Sequence, residues 1–312
     1  MAEIKSKLIG RDMMALEKNL ATYKGEDEMI SSKEMAELLA KEPKASFSFS
    51  TGIYHLDLVL NNVEAGELVI ITGPTGEGKT SLMMTISKFM AENQTMPAWF
   101  ELELTGRQFF SKFDFNPPLF YLPKRNIDNT IFWLEERILE AIVKYDIKSV
   151  FIDDLHHLFS LARIQSNVSF EIGDVIAKLK DIAVLNNLVI FLQVHIKDPQ
   201  DATTREPILS DIRDSGLIKA LADTVIGIWR VKNETVTKKD KRARREEIGD
   251  NDSKAKVRVW KNRREGKMST FYLKMENRFF VESYDKDGYP QDGTALGLSS
   301  QESISDGDIE FG

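Results

Sequence analysis

One short run of residues has the composition of a phosphate-binding loop. It reads Gly73-Pro74-Thr75-Gly76-Glu77-Gly78-Lys79-Thr80, fits the pattern G-x-x-x-x-G-K-[ST], and lies between an apolar stretch and an amphipathic one. Glycines let backbone N–H groups turn inward around phosphate oxygens, and the N-terminus of a following helix adds a partial positive charge. Lys79 can reach the β- and γ-phosphates and the Thr80 hydroxyl can ligate Mg²⁺. The run, with Ser81 next to it, predicts a strand–loop–helix site for a nucleoside triphosphate.

Acidic residues end two of the apolar stretches. Asp153 directly follows the run 149–152, so we predict that it holds the water shell of a magnesium ion, whereas the next residue, Asp154, is more typical of a helix cap. The stretch 99–105 carries Glu101 and Glu103. An acid at the carboxyl end of such a strand faces the nucleotide crevice and can polarise an attacking water. Alternation puts both glutamates on one face, so spacing leaves the choice between them open.

A further apolar stretch, 188–192, ends on polar groups. Gln193 and His195 follow it directly, and a side chain in that place can reach a γ-phosphate and report its loss. The remaining histidines, at 55, 156 and 157, form no set with metal-ligand spacing, so the sequence predicts no zinc site.

Alternation of short apolar runs with amphipathic segments predicts an α/β fold. Continuous apolar runs are typical of strands buried on both faces of a parallel sheet, and helices are expected at about 80–92, 130–145 and 170–185. After Lys254 the pattern changes to three short segments, 256–261, 270–274 and 279–281. These segments predict a C-terminal antiparallel extension of the sheet.

Three regions follow from the distribution of apolar and charged residues. Residues 1–45 are predicted to be helix and linker, with a capping box at Ser31–Glu34, and residues 46–284 form the main domain. Residues 285–312 are acidic and rich in glycine and serine, which predicts a disordered tail. The basic run 238–245 is interpreted as a long loop between two strands, either solvated or a DNA-facing insertion.

Composition excludes several classes of protein. The 312 residues include no cysteine, which excludes disulfide scaffolds, thiolate zinc sites, iron–sulfur clusters and cysteine nucleophiles. No stretch approaches the roughly 18 apolar residues of a membrane span, and the start has no signal-peptide pattern. The net charge of −7 argues against a uniformly basic nucleic-acid binder, although a local basic stripe is compatible with it. We therefore expect a cytoplasmic protein without membrane contact.

Taken together, the motifs resemble those of the DnaB-like replicative DNA helicases. The resemblance rests on the P-loop, the Glu103 strand, Asp153, the run 195–199 and the run 205–216, in the family's order and spacing over about residues 45–283. It is greatest to the phage helicase-primase and mitochondrial Twinkle branch, which has a histidine at the place of His195. The resemblance implies a RecA-like P-loop NTPase core and a ring-shaped homohexamer.

The resemblance also implies roles for individual residues. Glu103 matches the catalytic base, Asp153 the carboxylate that holds Mg²⁺, and His195 the γ-phosphate sensor. Lys261 and Arg263 match a Lys-x-Arg that reaches into the neighbouring subunit's nucleotide, with Arg263 as arginine finger. The remaining matches are a loop that binds single-stranded DNA, formed by Arg213, Asp214 and Gly216, and a pair that sandwiches the base, formed by Arg230 and Tyr272.

The implied activity is unwinding of duplex DNA at a replication fork, driven by ATP or another NTP or dNTP, in a host cytoplasm if the protein comes from a phage. Only about 45 residues precede the core, so we expect a motor without the family's usual primase or collar domain. The acidic tail resembles segments that recruit a replicative polymerase, a primase or a single-strand binding protein. Two alternatives stay open: a RecA/RadA-type recombinase or KaiC-like ATPase, and a nucleotide-switched loader or scaffold.

Overall fold

The computed structural model of the chain describes residues 20–25, 28–41, 47–126, 128, 130–158, 168–196, 206–212, 215–231 and 254–282. The chain forms two compact units, residues 1–46 and 47–312. Most of the predicted N-terminal helix, the basic run 238–245 and the tail 285–312 lie outside the described residues.

The first unit contains one described helix, α1, at Ser32–Leu39. The Ser31 hydroxyl accepts a hydrogen bond from the Glu34 N–H at 3.2 Å, and the Glu34 carboxylate accepts one from the Ser31 N–H at 2.9 Å. The predicted capping box is therefore confirmed. None of the residues of α1 is buried.

In the second unit, one mixed sheet of eight strands is described, in the order β10-β9-β8-β7-β3-β6-β5-β4. The five strands from β7 to β4 run parallel, and β8, β9 and β10 continue the sheet antiparallel. The strands are β3 Leu68–Gly73, β4 Pro97–Glu101, β5 Ser149–Asp153, β6 Val189–His195, β7 Thr224–Arg230, β8 Lys254–Asn262, β9 Thr270–Glu276 and β10 Phe279–Glu282, with the short pair β1 Ser48–Phe49 and β2 Val63–Glu64 outside this sheet. The predicted α/β class and the antiparallel extension are both confirmed.

Helices cover both faces of the sheet. They are α2 Tyr54–Leu60, α3 Lys79–Glu92, α4 Gly106–Ser111, α5 Ile131–Tyr145, α6 Val168–Leu185 and α7 Ser215–Leu221. Side chains of β3 alternate between two apolar cores: Val69 and Ile71 pack with α2, α3 and α4, whereas Leu68 and Ile70 pack with α5, α6 and α7. A strand buried on both faces needs the continuous apolar run that the sequence shows. Among the described helices, none is long and apolar enough to cross a membrane.

Strand register brings chemically active residues to one edge of the sheet. Gly73 at the end of β3 pairs with His195 at the end of β6, and Glu101 at the end of β4 pairs with Asp153 at the end of β5. The carboxyl ends of parallel strands therefore form a common edge. The opposite, amino edge carries the start of β3 and the end of β8, because Thr224 at the start of β7 pairs with Asn262.

Candidate functional site

The P-loop connects β3 to α3, as the sequence predicts. Gly73 must be glycine because a Cβ there would lie 2.0 Å from the Ile228 carbonyl oxygen. Gly78 has φ 107° and caps the start of α3, a backbone conformation that L side chains rarely adopt. These two residues let the chain turn tightly between strand and helix, so that backbone N–H groups at the start of α3 face a ligand.

Lys79 lies buried at the centre of the carboxyl edge. Its Nζ donates to the carbonyl oxygens of Gly73 at 3.1 Å and Pro74 at 3.0 Å. Burial lowers the pKa of this amine, and the carboxylates of Asp153 and Glu103 oppose that effect. A triphosphate would offer Lys79 anionic acceptors, which form stronger hydrogen bonds than carbonyl oxygens.

Thr80 and Asp153 form a pair suited to a divalent cation. The Thr80 hydroxyl donates to Asp153 Oδ2 at 2.7 Å and lies 3.4 Å from Gln193 Oε1. The other Asp153 oxygen, Oδ1, is buried and has no hydrogen-bond partner among the described residues. Burial raises the pKa of Asp153 to about 6. A buried carboxylate oxygen without a partner, beside a hydroxyl, fits the oxygen ligands that Mg²⁺ prefers.

Glu101 and Glu103 have different environments, and here the predicted strand 99–105 is wrong. Strand β4 ends at Glu101, because the Glu101 carboxylate accepts hydrogen bonds from the N–H groups of Glu103 at 3.0 Å and Leu104 at 2.8 Å. These bonds turn the chain, and Thr105 then caps α4. Glu103 is therefore on a loop, and the two acids do not share a strand face.

Burial, followed by the nearby charge of Asp153, raises the pKa of Glu101 to about 8. Because the folded state retains a proton that the unfolded chain loses, Glu101 lowers the free energy of unfolding as pH rises from about 4.5 to 8. Glu101→Gln keeps an uncharged acceptor and removes this effect. The free energy of unfolding of the variant minus that of the native protein is therefore expected to increase by about 2–4 kcal/mol when the pH rises from 5 to 8.

Urea unfolding of both proteins at the two pH values measures that difference. Titrating groups that do not interact with Glu101 are common to both chains and cancel in the comparison, whereas Asp153, whose charge acts on Glu101, contributes to the difference. A stability difference that does not change with pH would mean that Glu101 is ionised throughout the range.

His195 is held by Asp154. Its Nε2 contacts Asp154 Oδ2, and His157 Nδ1 lies 2.9 Å from Asp154 Oδ1. Burial alone would raise the pKa of Asp154, but hydrogen bonds from His195 and His157 lower it to about 2. Asp154 also accepts the His157 N–H at 3.3 Å, as the predicted helix cap would. Sequence reasoning therefore found the cap but not the contact with the predicted sensor.

The predicted base and the predicted sensor meet in space. One ligating atom each from Glu103, Asp154 and His195 lie within 4.8 Å of one another. Lys79 is close enough for Asp153, Glu103 and Asp154 all to affect its pKa. The sequence-predicted groups at 79, 80, 103, 153 and 195 are thus brought together at one end of the sheet.

Ile212, which precedes the predicted DNA-binding residues in the chain, lies close to the end of the His195 strand. Ile196 forms an isolated bridge with Ile212, so the two ends of the segment between them meet beside the end of β6. Arg213 and Asp214 lie outside the described residues. Gly216 lies exposed in the first turn of α7, and a Cβ there would meet nothing within 4 Å. Packing among the described residues therefore does not explain the glycine.

Lys261 and Arg263 lie at the amino edge, away from the P-loop of their own chain. The Arg263 N–H donates to the Asp223 carbonyl at 2.9 Å, and the Asp223 carboxylate accepts from the N–H of Leu68, the first residue of β3, at 2.8 Å. The P-loop begins at the other end of β3, roughly 17 Å away for a strand of this length. Arg263 therefore cannot reach a phosphate bound to its own P-loop.

Comparison with models of protein families identifies the family of the chain. The model of the family described as DnaB-like helicase C terminal domain matches residues 122–282, about half of the chain. The chain belongs to the DnaB-like helicase family. The match includes Asp153, His195 and Arg263 and begins after the P-loop and Glu103.

Individual curated relatives are similar to a larger part of the chain than the family model is. Over 308 residues the chain is 27% identical to the replicative DNA helicase DnaB of Mycoplasma pneumoniae, covering 85% of this chain and 62% of that protein. The chain spans about half the length of the curated relatives it matches.

Solved structures show the same fold. A DnaB-like replicative helicase, solved in work on its interactions with primase, superposes with a TM-score of 0.62 at 16% identity, over 90% of this chain and 74% of that one. A KaiC-like protein from Pyrococcus horikoshii has a TM-score of 0.54 at 17% identity, over 75% and 97% of the two chains. The fold is therefore shared by helicases and KaiC-like proteins.

The predicted base-binding pair is not brought together. The Arg230 N–H donates to Glu77 at 2.6 Å, so Arg230 borders the P-loop. Register aligns Tyr272 with Lys256 and Trp229, which puts its ring on the face of the sheet opposite to Arg230. The Lys254 amine lies over that ring, 4.7 Å from its centroid.

Two apolar residues that sequence reasoning missed border the P-loop instead. A Cβ on Gly78 would lie 2.8 Å from the Phe280 ring and 3.7 Å from the end of Met275. The Phe280 N–H is held by the Thr85 hydroxyl of α3 at 2.8 Å. Phe280 lies in a predicted strand and Met275 directly follows one, so both look like ordinary core residues and no signal in the sequence distinguishes them.

Proposed function

We propose that this chain is the motor of a ring-shaped replicative DNA helicase, which uses NTP hydrolysis to move along single-stranded DNA and to unwind duplex. One observation carries the proposal: the groups suited to hold and hydrolyse a triphosphate lie at the carboxyl edge, whereas the predicted arginine finger lies at the amino edge. A complete site then needs two protomers, and a head-to-tail interface that closes gives a ring.

The residues of the carboxyl edge divide the chemistry between them. The P-loop N–H groups and Lys79 bind the phosphates, and Glu103 orients the attacking water and accepts its proton. Thr80 and Asp153 would hold Mg²⁺, which neutralises charge on the phosphates when bound. His195, held by Asp154, contacts the γ-phosphate and responds to its release.

Arg263 completes the site of the neighbouring protomer. Phosphoryl transfer depends mainly on positioning and on stabilisation of the charge that spreads over the transferred group, and an arginine can supply that stabilisation in trans. Lys261 accompanies it at the end of β8. Hydrolysis therefore depends on the interface between protomers.

The same site is connected to single-stranded DNA. Ile212 bridges to Ile196 next to His195, and the predicted DNA-binding residues Arg213, Asp214 and Gly216 follow Ile212 in the chain, so we expect a change at the sensor to affect them. Nonspecific strand binding needs backbone donors and a few cations, which a protein of net charge −7 can provide locally.

Electron microscopy with a non-hydrolysable ATP analogue and oligo-dT, combined with a fork-unwinding assay, tests the proposal. We expect closed rings and ATP-dependent unwinding by the native protein, and neither turnover nor unwinding by Lys79→Ala. Filaments that pair strands without unwinding would favour a RecA/RadA-type recombinase, and KaiC-like activity would give rings without unwinding. Nucleotide binding without DNA-stimulated turnover would favour a loader or scaffold.

The acidic tail is proposed to recruit a replication partner, namely the polymerase, a primase or a single-strand binding protein, in the cytoplasm of the cell where replication occurs. Its residues lie outside the described part of the chain, and the proposal rests on the acids at 306, 308 and 310 and on Phe311. Deleting residues 295–312 is expected to weaken coupled strand synthesis while ATPase activity stays intact. Loss of ATPase activity in the truncated protein would contradict this role.

A further inference from the structure

Asp223 connects the predicted arginine finger to two rigid elements of its own protomer. Its Oδ2 accepts hydrogen bonds from the Leu68 N–H at 2.8 Å and from Lys180 Nζ at 2.6 Å. Its Oδ1 accepts from Arg263 Nη1 at 3.2 Å, and its carbonyl accepts from the Arg263 N–H at 2.9 Å. Asp223 is only 7% exposed, so water screens the charge of its carboxylate poorly.

The C-terminal end of α7 provides a second anchor for the same arginine. Arg263 Nη2 donates to the Ala220 carbonyl, and Lys261 Nζ donates to the Ala222 carbonyl at 2.6 Å and to the Lys219 carbonyl at 2.5 Å. The last carbonyls of a helix have no partner within the helix, and cations are favourable there. Helix α7 contains the predicted DNA-binding residue Gly216 in its first turn, so these contacts join the finger to that helix.

The guanidinium is nevertheless available at the surface. The Arg263 side chain is 50% exposed, and an arginine carries five N–H donors of which the contacts above use two. Donors remain for the oxygens of a phosphate presented by another protomer. The arginine is thus held on one side and open on the other.

We propose that Asp223 is the positioning residue of the arginine finger: it fixes the Arg263 guanidinium so that this group meets the neighbouring protomer's triphosphate without a search over rotamers. The inference rests on the proposed function, because it needs a triphosphate shared by two protomers. It predicts that Asp223 acts on the site of the next protomer and not on the P-loop of its own chain.

Mixed rings test this directional prediction. Protomers with Lys79→Ala supply an intact finger but no working P-loop, and protomers with Arg263→Ala supply an intact P-loop but no finger. Each alone is expected to be nearly inactive. When equal amounts are mixed at random, about a quarter of the interfaces join an intact P-loop to an intact finger. DNA-stimulated ATP turnover should therefore be restored to at most about a quarter of the native rate.

Asp223→Asn is then placed in one kind of protomer at a time. In the Lys79→Ala protomer, which supplies the finger, we expect it to lower the restored turnover roughly 10²-fold, the effect of misplacing a reacting group by about 1 Å. In the Arg263→Ala protomer we expect the same substitution to change turnover less than about twofold. Asp223→Glu should show the same dependence on placement with a smaller loss, and it replaces the asparagine variant if that one does not fold.

Lys180→Gln is the matched control, since it removes the other cation on Asp223 and leaves Arg263 in place. Placed in the finger-supplying protomer, it should lower the restored turnover much less than Asp223→Asn does, because the Leu68 N–H still holds Asp223. An equal loss from Lys180→Gln, or a loss from Asp223→Asn that is independent of placement, would show that Asp223 only stabilises the fold and would overturn the inference. If the two parent variants restore no activity when mixed, the shared site itself is refuted, and the inference with it.

Discussion

Arg263→Ala lowers DNA-stimulated ATP turnover by roughly 10³–10⁵-fold if the arginine acts across the interface as proposed. Nucleotide binding is expected to stay close to native, because the P-loop and Lys79 lie at the other edge of the sheet. The physical reason is that the guanidinium meets charge that develops only in the transition state. Steady-state turnover and fluorescent-nucleotide binding measured on the same preparation separate the two effects.

Lys267→Ala provides the control for this substitution. Lys267 lies on the same β8–β9 turn, its side chain is 58% exposed, and its amine lies 3.6 Å from Glu265. Exposed ion pairs of this kind contribute little energy, so removing the Lys267 amine should change turnover little. A comparable loss of turnover in both variants would mean that hydrolysis needs positive charge anywhere on this turn and does not depend on Arg263 in particular.

Glu103→Gln is expected to lower turnover by roughly 10²–10⁴-fold, the usual contribution of a positioned general base. The amide keeps the size of the side chain and can still accept a hydrogen bond, but it cannot take the proton of the attacking water. Single-turnover hydrolysis with saturating ATP measures the chemical step apart from product release. Nucleotide affinity should be unchanged.

Glu101→Gln is the matched control for Glu103→Gln because the two acids are close neighbours in the chain and only Glu103 is assigned the role of base. Glu101 has a pKa of about 8 and is mostly protonated at neutral pH, so an amide replaces a group that is already uncharged. Its turnover should stay within a few-fold of native. If Glu101→Gln abolished hydrolysis and Glu103→Gln did not, the assignment of the base would be reversed.

The fold could be predicted from sequence because its signals are local. Continuous apolar runs mark the buried parallel strands, and the glycines and lysine of residues 73–80 mark the P-loop. Residues at the ends of those strands, such as Asp153 and His195, were also found, because parallel strands bring their carboxyl ends to one edge.

Other parts of the site depend on contacts that no local pattern shows. Glu103 leaves the strand because the Glu101 side chain binds two backbone N–H groups ahead of it. The face on which Tyr272 lies depends on the register of β8 against β9. Asp223 meets the Leu68 N–H across 155 residues of chain, so only the assembled sheet shows its connection to Arg263.

The central claim is that each triphosphate is shared by two protomers. ATP turnover per protomer, measured with saturating single-stranded DNA across a dilution series and paired with the mass distribution of the same samples, tests it most directly. The account predicts that turnover appears only as rings assemble and disappears on dilution to monomers. Full turnover from a strictly monomeric population would contradict it.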